Sequence, residues 1–274
     1  MSAFPVRRFD PDRLDEIVAA DIADLQNSVV ADVLDPGEVA RLSDMVDAAL
    51  EADRALTPPH RSVDVGRVLF PPVHDPRFLD VLANEAVMGP CDRLLGSDCH
   101  IYMMTTLCQP PGSAGRPVHV DTPFDTPDYL VGVGVMVLLD DFTPESGPTR
   151  LDTVATVDRP SEEEYLARAM TLEAPAGSVC WYHPRLWHDA LPNRSDRWRR
   201  AIAVGVVRPW VRQRFDMVRM LRHLDLAHLP RPVRRRLGFE SIPPGSYEEF
   251  FLPDGVRAQE LLNRAIARAR DEEP

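Results

Sequence analysis

Lysine is absent from this chain: all 31 basic side chains are arginine. That removes a Schiff-base nucleophile, a pyridoxal-phosphate aldimine and the lysine of a Walker-type phosphate loop. Cysteine is sparse and unpaired. Cys91, Cys99, Cys108 and Cys180 make no CxxC and no paired spacing, so free thiols in a reducing cytoplasm are expected. Long apolar runs are missing too. The longest, Tyr129 to Leu139, has 11 residues, too short to span a bilayer, and the stretch MSAFPVRRFDPDRLDE lacks the apolar region of a secretory signal. Positive charge is in deficit, 31 basic against 43 acidic residues for a net charge of −12. A nucleic-acid binder needs a basic stripe to displace counterions, and an anionic membrane surface needs the same. No nucleic acid and no membrane are expected as partners, and the acidic balance steers the substrate towards a neutral small metabolite. There is no internal repeat, no low-complexity tract and no Gly/Ser linker.

What is present is the composition of an ordinary globular protein, 44% hydrophobic and 27% charged, long enough at 274 residues to bury a sizeable core. Proline, at 27 residues, is roughly double its usual share and predicts many loops. The N-terminal part, 1–97, reads as helical. Asp35-Pro36-Gly37-Glu38 supplies an N-cap, a proline at the first helical position and an acid at the third. Val39, Leu42, Val46, Ala49 and Leu50 follow at helical spacing. A second helix is predicted from Pro76 to about Leu95, bent or broken at Gly89-Pro90.

From about residue 98 the period shortens. Ile101–Cys108, Val118–Asp121, Leu130–Leu139, Ser178–Tyr182 and Arg200–Val207 are short runs rich in Val, Ile, Thr and aromatics, bounded by Pro/Gly/Asp clusters. Such punctuation without intervening helices predicts an antiparallel sandwich or jelly roll over 98–210. The chain turns helical again over 211–274. The fold class expected is thus mainly β with flanking helices, as one domain over 1–274.

Within the β region, Val118-His119-Val120-Asp121 carries the sharpest chemical signal. In a strand, residues i and i+2 share a face, so His119 and Asp121 project together. An imidazole and a carboxylate are two of the three groups of a 2-His-1-carboxylate triad, which holds Fe(II) and leaves positions open. A lone HxD is weak, since such pairs arise by chance. The third ligand must come from a distant strand, and His183 or His188, after the run Gly177 to Tyr182, could supply it. Spacing does not choose between them. The other histidines, His60, His74, His100, His223 and His228, lie in helical parts or at a strand start. Further on, Arg199 shares its alternation face with Ala201, Ala203 and Gly205, which leaves room for a ligand. A bidentate guanidinium fits the far carboxylate of a small dicarboxylic acid. Arg200 shares a face with Ile202, Val204 and Val206, a packed face.

Taken in order, these blocks resemble the phytanoyl-CoA dioxygenase family of Fe(II)/2-oxoglutarate oxygenases. The likeness runs from Gln109-Pro-Pro-Gly-Ser-Ala-Gly-Arg-Pro-Val-His119-Val-Asp121 through Glu145-Ser-Gly-Pro-Thr149-Arg. It resumes at Ala174-Pro-Ala-Gly-Ser178-Val, continues through Arg185-Leu-Trp-His188 and Pro192-Asn-Arg-Ser-Asp-Arg-Trp-Arg199-Arg, and includes Arg236-Leu-Gly-Phe239. It covers about two thirds of the chain. The resemblance implies a double-stranded β-helix (a cupin-like jelly roll), with His119, Asp121 and His188 as iron ligands. It implies Arg199 as the 2-oxoglutarate arginine, and Gln109 and Thr149 as further co-substrate contacts. Two departures stand out: Asp189-Ala190 replaces the Gly-Ser that often follows the distal histidine, and Leu151 to Thr156 replaces a Pro-Gly-Ser-His stretch. Retention of Asp121 argues against a halogenase.

In function, the resemblance implies a dioxygenase that uses Fe(II), 2-oxoglutarate and O2 to oxidise an unactivated C–H bond of a small molecule, such as a bacterial specialised metabolite. Hydroxylation, epimerisation, cyclisation and desaturation are all within its reach. Arg116, Phe124, Tyr182 and Trp187 are candidate substrate contacts at the barrel mouth. The alternative is a non-catalytic cupin-like protein that binds a metal or small molecule without turnover. A zinc hydrolase is disfavoured by the lack of HExxH, and Gly132-Val-Gly134 is no nucleotide loop, having neither a third glycine nor a following helix.

Overall fold

The computed structural model describes residues 2–56, 66–122, 129–241 and 243–270. Among these, ten strands form two sheets. The strands are β1 (Val6–Arg8), β2 (Asn27–Ala31), β3 (His100–Thr106), β4 (Arg116–His119), β5 (Gly132–Leu138), β6 (Thr149–Leu151), β7 (Met170–Thr171), β8 (Val179–Tyr182), β9 (His188–Ala190) and β10 (Ala201–Val207). A six-stranded sheet has the order β1-β2-β8-β5-β10-β3, and a four-stranded sheet the order β4-β9-β6-β7. Every pairing within strands is antiparallel except β1 with β2.

Alternation along β5 sorts its side chains between two cores. Val133, Val135 and Val137 turn outward, with Ile202, Val204 and Val206 of β10, onto the flanking helices. Leu14, Val18 and Ile22 of the helix Leu14–Leu25, and Leu42, Val46 and Leu50 of the helix Pro36–Ala55, pack against them. Trp181 of β8 is wholly buried there, and its indole Nε1 donates to the Val87 carbonyl at 3.0 Å. Burying a side chain of this size stabilises by about 2–3 kcal/mol, and the hydrogen bond fixes the sheet against the helix Glu85–Leu95. Met136, Leu138, Cys180 and Ala201 turn the other way and meet Phe142, Leu151 and Leu172. The two sheets therefore pack face to face, and the part of the space between them that these side chains do not fill is a cavity.

The helix at Pro36 starts as its sequence directs. The Asp35 side chain accepts from the amides of Gly37 and Glu38, and the Glu38 carboxylate accepts in return from the Asp35 amide at 3.2 Å. Two expectations change. The N-terminal part is not purely helical, because β1 and β2 complete one edge of the large sheet; β2 is buried at all five residues and so lacks the alternation that betrays a half-exposed strand. The break in the segment 76–95 falls at Asn84, not at Gly89-Pro90. The Asn84 side chain accepts from the Ala86 amide and starts a new helix, within which Pro90 is accommodated. Arg236 ties the C-terminal part back to this helix: its guanidinium donates to the Leu82 carbonyl, to Glu85 and to Asp92. No helix among the described residues is long and apolar enough to cross a membrane, and all four cysteines are buried and free.

Candidate active site

Antiparallel β4 and β9 bring the two halves of the site together, with His119 opposite His188 in register. Their ring centroids are 4.2 Å apart. Asp121 lies just past the end of β4, where its amide donates to the Pro184 carbonyl at 3.2 Å. It is thus carried by the turn after the strand, a correction to the simple strand alternation expected. Its Oδ1 stands 3.8 Å from His188 Nε2. One donor atom from each of His119, Asp121 and His188 lies within 4.8 Å of the others. His183 is left out of this group; its Nδ1 accepts from the Arg185 amide at 3.2 Å.

Backbone contacts set the tautomers of both imidazoles. His119 Nδ1 is 2.9 Å from the Pro117 carbonyl and His188 Nδ1 is 2.8 Å from the Leu186 carbonyl. A carbonyl oxygen only accepts, so each Nδ1 carries the proton and each Nε2 keeps its lone pair for a metal. Enclosure by the protein, then the neighbouring His188, lower the pKa of His119 and favour its neutral form, the form that ligates. Tyr182 holds the carboxylate: its hydroxyl donates to Asp121 Oδ2 at 2.7 Å. Burial, followed by the Asp121 charge, pushes the phenol well above its ordinary value, so it remains a donor. The ring fits because Gly134 lies beneath it; a Cβ there would fall inside the Tyr182 ring.

A cavity of about 420 Å³ opens from these residues across the inner face of β5 and β10 to β3. Arg199, Ala203 and Gly205 all line it, together with Thr149, Gly132 and Gly134. Arg199 is 2% exposed, and its Nε and Nη1 have no hydrogen-bond partner among the described residues. Its guanidinium lies 4.4 Å from the centroid of the Phe142 ring. With the Gln109 amide turned to satisfy both its ends, Oε1 accepts from Arg199 Nη2 at 2.6 Å and Nε2 donates to the Leu191 carbonyl at 3.2 Å. Burial pushes the Arg199 pKa down to about 10, which still leaves it charged at neutral pH. A buried cation with open donors is costly unless an anion completes it. The donor set thus fits a carboxylate, and the two-imidazole, one-carboxylate cluster fits a divalent iron-type metal. Among the described residues Thr149 Oγ1 has only the Met136 sulfur as an acceptor, at 3.9 Å, and Thr149 lines the cavity.

The remaining candidates separate. Arg116 lines the cavity from β4, and Tyr182 lines it as well, although its polar end is committed to Asp121. Trp187 does not line it. Alternation places Trp187 opposite His188, where Arg159 lies 6.0 Å from its ring centroid, so the expected substrate contact there is withdrawn. Phe124 lies outside the described residues, as does His60. Asp189 turns away to a buried pair with Arg150, whose Nε donates at 2.9 Å and whose Nη2 meets the other carboxylate oxygen; Tyr165 adds a hydroxyl at 3.0 Å. Arg200 pairs with Asp140 and Asp47. His100, 2% exposed, is held by Ser241 and the Val211 carbonyl. Sequence reasoning missed Arg67, Tyr102, Met103 and Arg214 in the cavity wall. A usable signal exists: two glycines at i and i+2 in an otherwise valine-rich strand mark a close approach rather than a packed face.

Two facing sheets with a two-histidine, one-carboxylate cluster at one end define a protein with a candidate metal site. The model of the family described as phytanoyl-CoA dioxygenase (PhyH) matches residues 28–201, and the chain belongs to that family. A protein of Mycobacterium tuberculosis, the uncharacterized protein Rv1501, is 27% identical over 245 residues, covering 84% of this chain and 89% of its own length. Among solved structures, the non-heme alpha-ketoglutarate-dependent epimerase SnoN from nogalamycin biosynthesis aligns with a TM-score of 0.58 at 19% identity, over 73% of this chain and 84% of that one. AviO1 from Streptomyces viridochromogenes Tue57 aligns at 0.58 and 19%, over 71% and 96%. HygX from Streptomyces hygroscopicus, solved with nickel and 2-oxoglutarate bound, aligns at 0.57 and 15%, over 72% and 87%.

Proposed function

We propose that this protein is an Fe(II)/2-oxoglutarate-dependent dioxygenase. It oxidises an unactivated C–H bond of a small molecule, by hydroxylation or by a variant outcome such as epimerisation, cyclisation or desaturation, in specialised metabolism. The observation that carries this reading is one cavity holding two features at once: the His119, Asp121 and His188 donors, and the buried Arg199 with two open N–H groups. The family and the fold likeness to tailoring enzymes support it. On this reading the two facing sheets are a double-stranded β-helix, and residues 1–274 act as one oxygenase domain in the cytoplasm.

Bound iron, with O2 and 2-oxoglutarate as co-substrates, supplies the oxidising chemistry and yields succinate and CO2. The chain's own residues position and shield. His119 and His188 present Nε2 because their Nδ1 protons are held by backbone carbonyls. Tyr182 holds Asp121 through one carboxylate oxygen, leaving the other for the metal. Arg199 offers two N–H groups to the distal carboxylate of the co-substrate, and Gln109 fixes the guanidinium plane from behind. Thr149 adds a hydroxyl from β6. Phe142 excludes water on one side of Arg199, which strengthens the ionic contact.

Anaerobic titration with Fe(II) and 2-oxoglutarate, with air admitted afterwards, tests the proposal. The expected result is a charge-transfer absorption that needs both ligands, then release of succinate. Absence of both with folded protein would overturn it and favour the cupin-like binding reading.

A further inference from the structure

β9, which carries His188, is only three residues long, and a strand that short does little to fix its own register. Register matters here because side chains alternate. A slip of one residue against a neighbour would turn His188 out of the cavity and Asp189 into it. The contact of His188 Nδ1 with the Leu186 carbonyl ties the ring to its own segment of chain, so the imidazole goes where this backbone goes. On one side β9 meets β4, an edge strand whose pairing shifts register between Arg116 and His119. On the other it meets β6, with Thr149 opposite Ala190, Arg150 opposite Asp189 and Leu151 opposite His188.

Two ion pairs hold that second register. Arg150 and Asp189, directly opposite each other, pair through Nε at 2.9 Å and through Nη2, with side chains 11% and 8% exposed. Tyr165, from the helix Glu162–Arg168, donates its hydroxyl to Asp189 Oδ1 at 3.0 Å, and the Arg150 guanidinium lies 5.5 Å from its ring centroid. The second pair uses the same helix. Arg168 donates to the buried Asp152 carboxylate at 2.9 and 2.6 Å, and the Asp152 amide donates to the Trp187 carbonyl at 2.8 Å. The residues immediately before and after His188 are thus both fastened to the segment of β6 and its helix. A buried pair adds little net stability over apolar side chains of the same size, because desolvation offsets the attraction. What it does supply is discrimination. A slipped β9 would take Asp189 from Arg150 and leave both charges without each other, which is strongly unfavourable in a buried place.

We propose that Arg150, Asp189 and Tyr165 are positioning residues for the metal cluster, a role that rests on the proposed function. They pin the register of β9 so that His188, and not Asp189, faces His119 and Asp121. None of the three is a donor in the cluster; they act through the strand. Asp189 borders the cavity, but its carboxylate is turned to Arg150. Only the pinned register presents both imidazoles, so loosening the pin lowers the apparent metal affinity by the fraction of molecules that leave it.

The test measures Co(II) binding to the full chain by competition with a chelating dye, beside urea unfolding of the metal-free protein. Arg150→Met/Asp189→Leu replaces the pair by apolar side chains of similar volume. It should fold with stability equal to or above that of the wild type, yet bind Co(II) about tenfold or more weaker. Tyr165→Phe keeps the ring, removes the hydroxyl and should lose a smaller part of the affinity. Arg236→Met is the control for lost stability alone and should keep wild-type affinity in its folded fraction. Wild-type affinity in the folded pair variant would overturn the role, as would an equal loss in Arg236→Met. If the pair variant does not fold, Tyr165→Phe decides in the same way. Failure of the wild type to take up Co(II) would overturn the metal reading and this role together. Uptake by the wild type with no loss in the variant overturns this role alone.

Discussion

Arg199 and Arg236 are both almost wholly withdrawn from solvent, 2% and 0% exposed, yet their surroundings differ in kind. Arg236, at the junction of the N- and C-terminal helices, gives both terminal nitrogens to the Leu82 carbonyl, Glu85 and Asp92. Arg199, between the sheets, has Gln109 on one nitrogen, an aromatic ring on its face and two N–H groups without a partner. Their pKa values move apart accordingly: ion pairing raises that of Arg236 in spite of burial, whereas burial lowers that of Arg199. The same residue type at the same depth is a structural clamp in one place and, on the proposed function, half of a binding site in the other. Burial alone does not separate them; the count of satisfied donors does.

The contrast predicts a hierarchy of effects. Asp121→Ala removes a donor from the metal cluster without touching the helical junction. Succinate production should fall by more than about a thousandfold, while Tm changes little; residual turnover near wild type would remove Asp121 from the assigned cluster. Arg199→Gln should weaken 2-oxoglutarate by about a hundredfold, since two charged hydrogen bonds together amount to about 3 kcal/mol. Stability of the unloaded protein should hold or rise, because a costly buried cation is gone. Calorimetry and a thermal melt check the two halves separately, and a clear drop in Tm would make Arg199 a structural residue like Arg236.

Arg236→Met tests the opposite member. It should destabilise by about 2–4 kcal/mol in urea, below the largest values because Glu85 retains water contact. The folded fraction should bind Fe(II) and 2-oxoglutarate with wild-type affinity. The smallest effect sharpens the site itself. Tyr182→Phe keeps the ring over Gly134 and deletes the bond to Asp121. Metal affinity should fall by about tenfold, the usual scale for a residue that orients a ligand. A competition titration with a chelating dye reads this without turnover. An unchanged affinity would assign Tyr182 to packing.

Parts of this can be seen in the linear sequence and parts cannot. The strand periods of β3, β5, β8 and β10 are visible, as is the capping box at Asp35. A second box, Ser161 with Glu164, starts the helix Glu162–Arg168 and has the same local signature. β7 and β9, two and three residues long, are too short to show any period. His188 opens β9, which is why spacing does not choose between it and His183. Arg214 gives no signal at all: it lies beyond the last strand in an arginine-rich stretch, yet it lines the cavity.

By itself, the sequence determined which residues share a face, where caps and turns fall, and the order of blocks that marks the family. These are properties of neighbours along the chain, fixed by periods of two and 3.6 and by turn chemistry. Only the tertiary structure decided which of the two buried arginines is paired and which keeps open donors, which histidine joins the cluster, and where the cavity opens. Each depends on partners from strands and helices far apart in the chain. Whether a buried charge is satisfied is a property of the space around it, which no local pattern encodes.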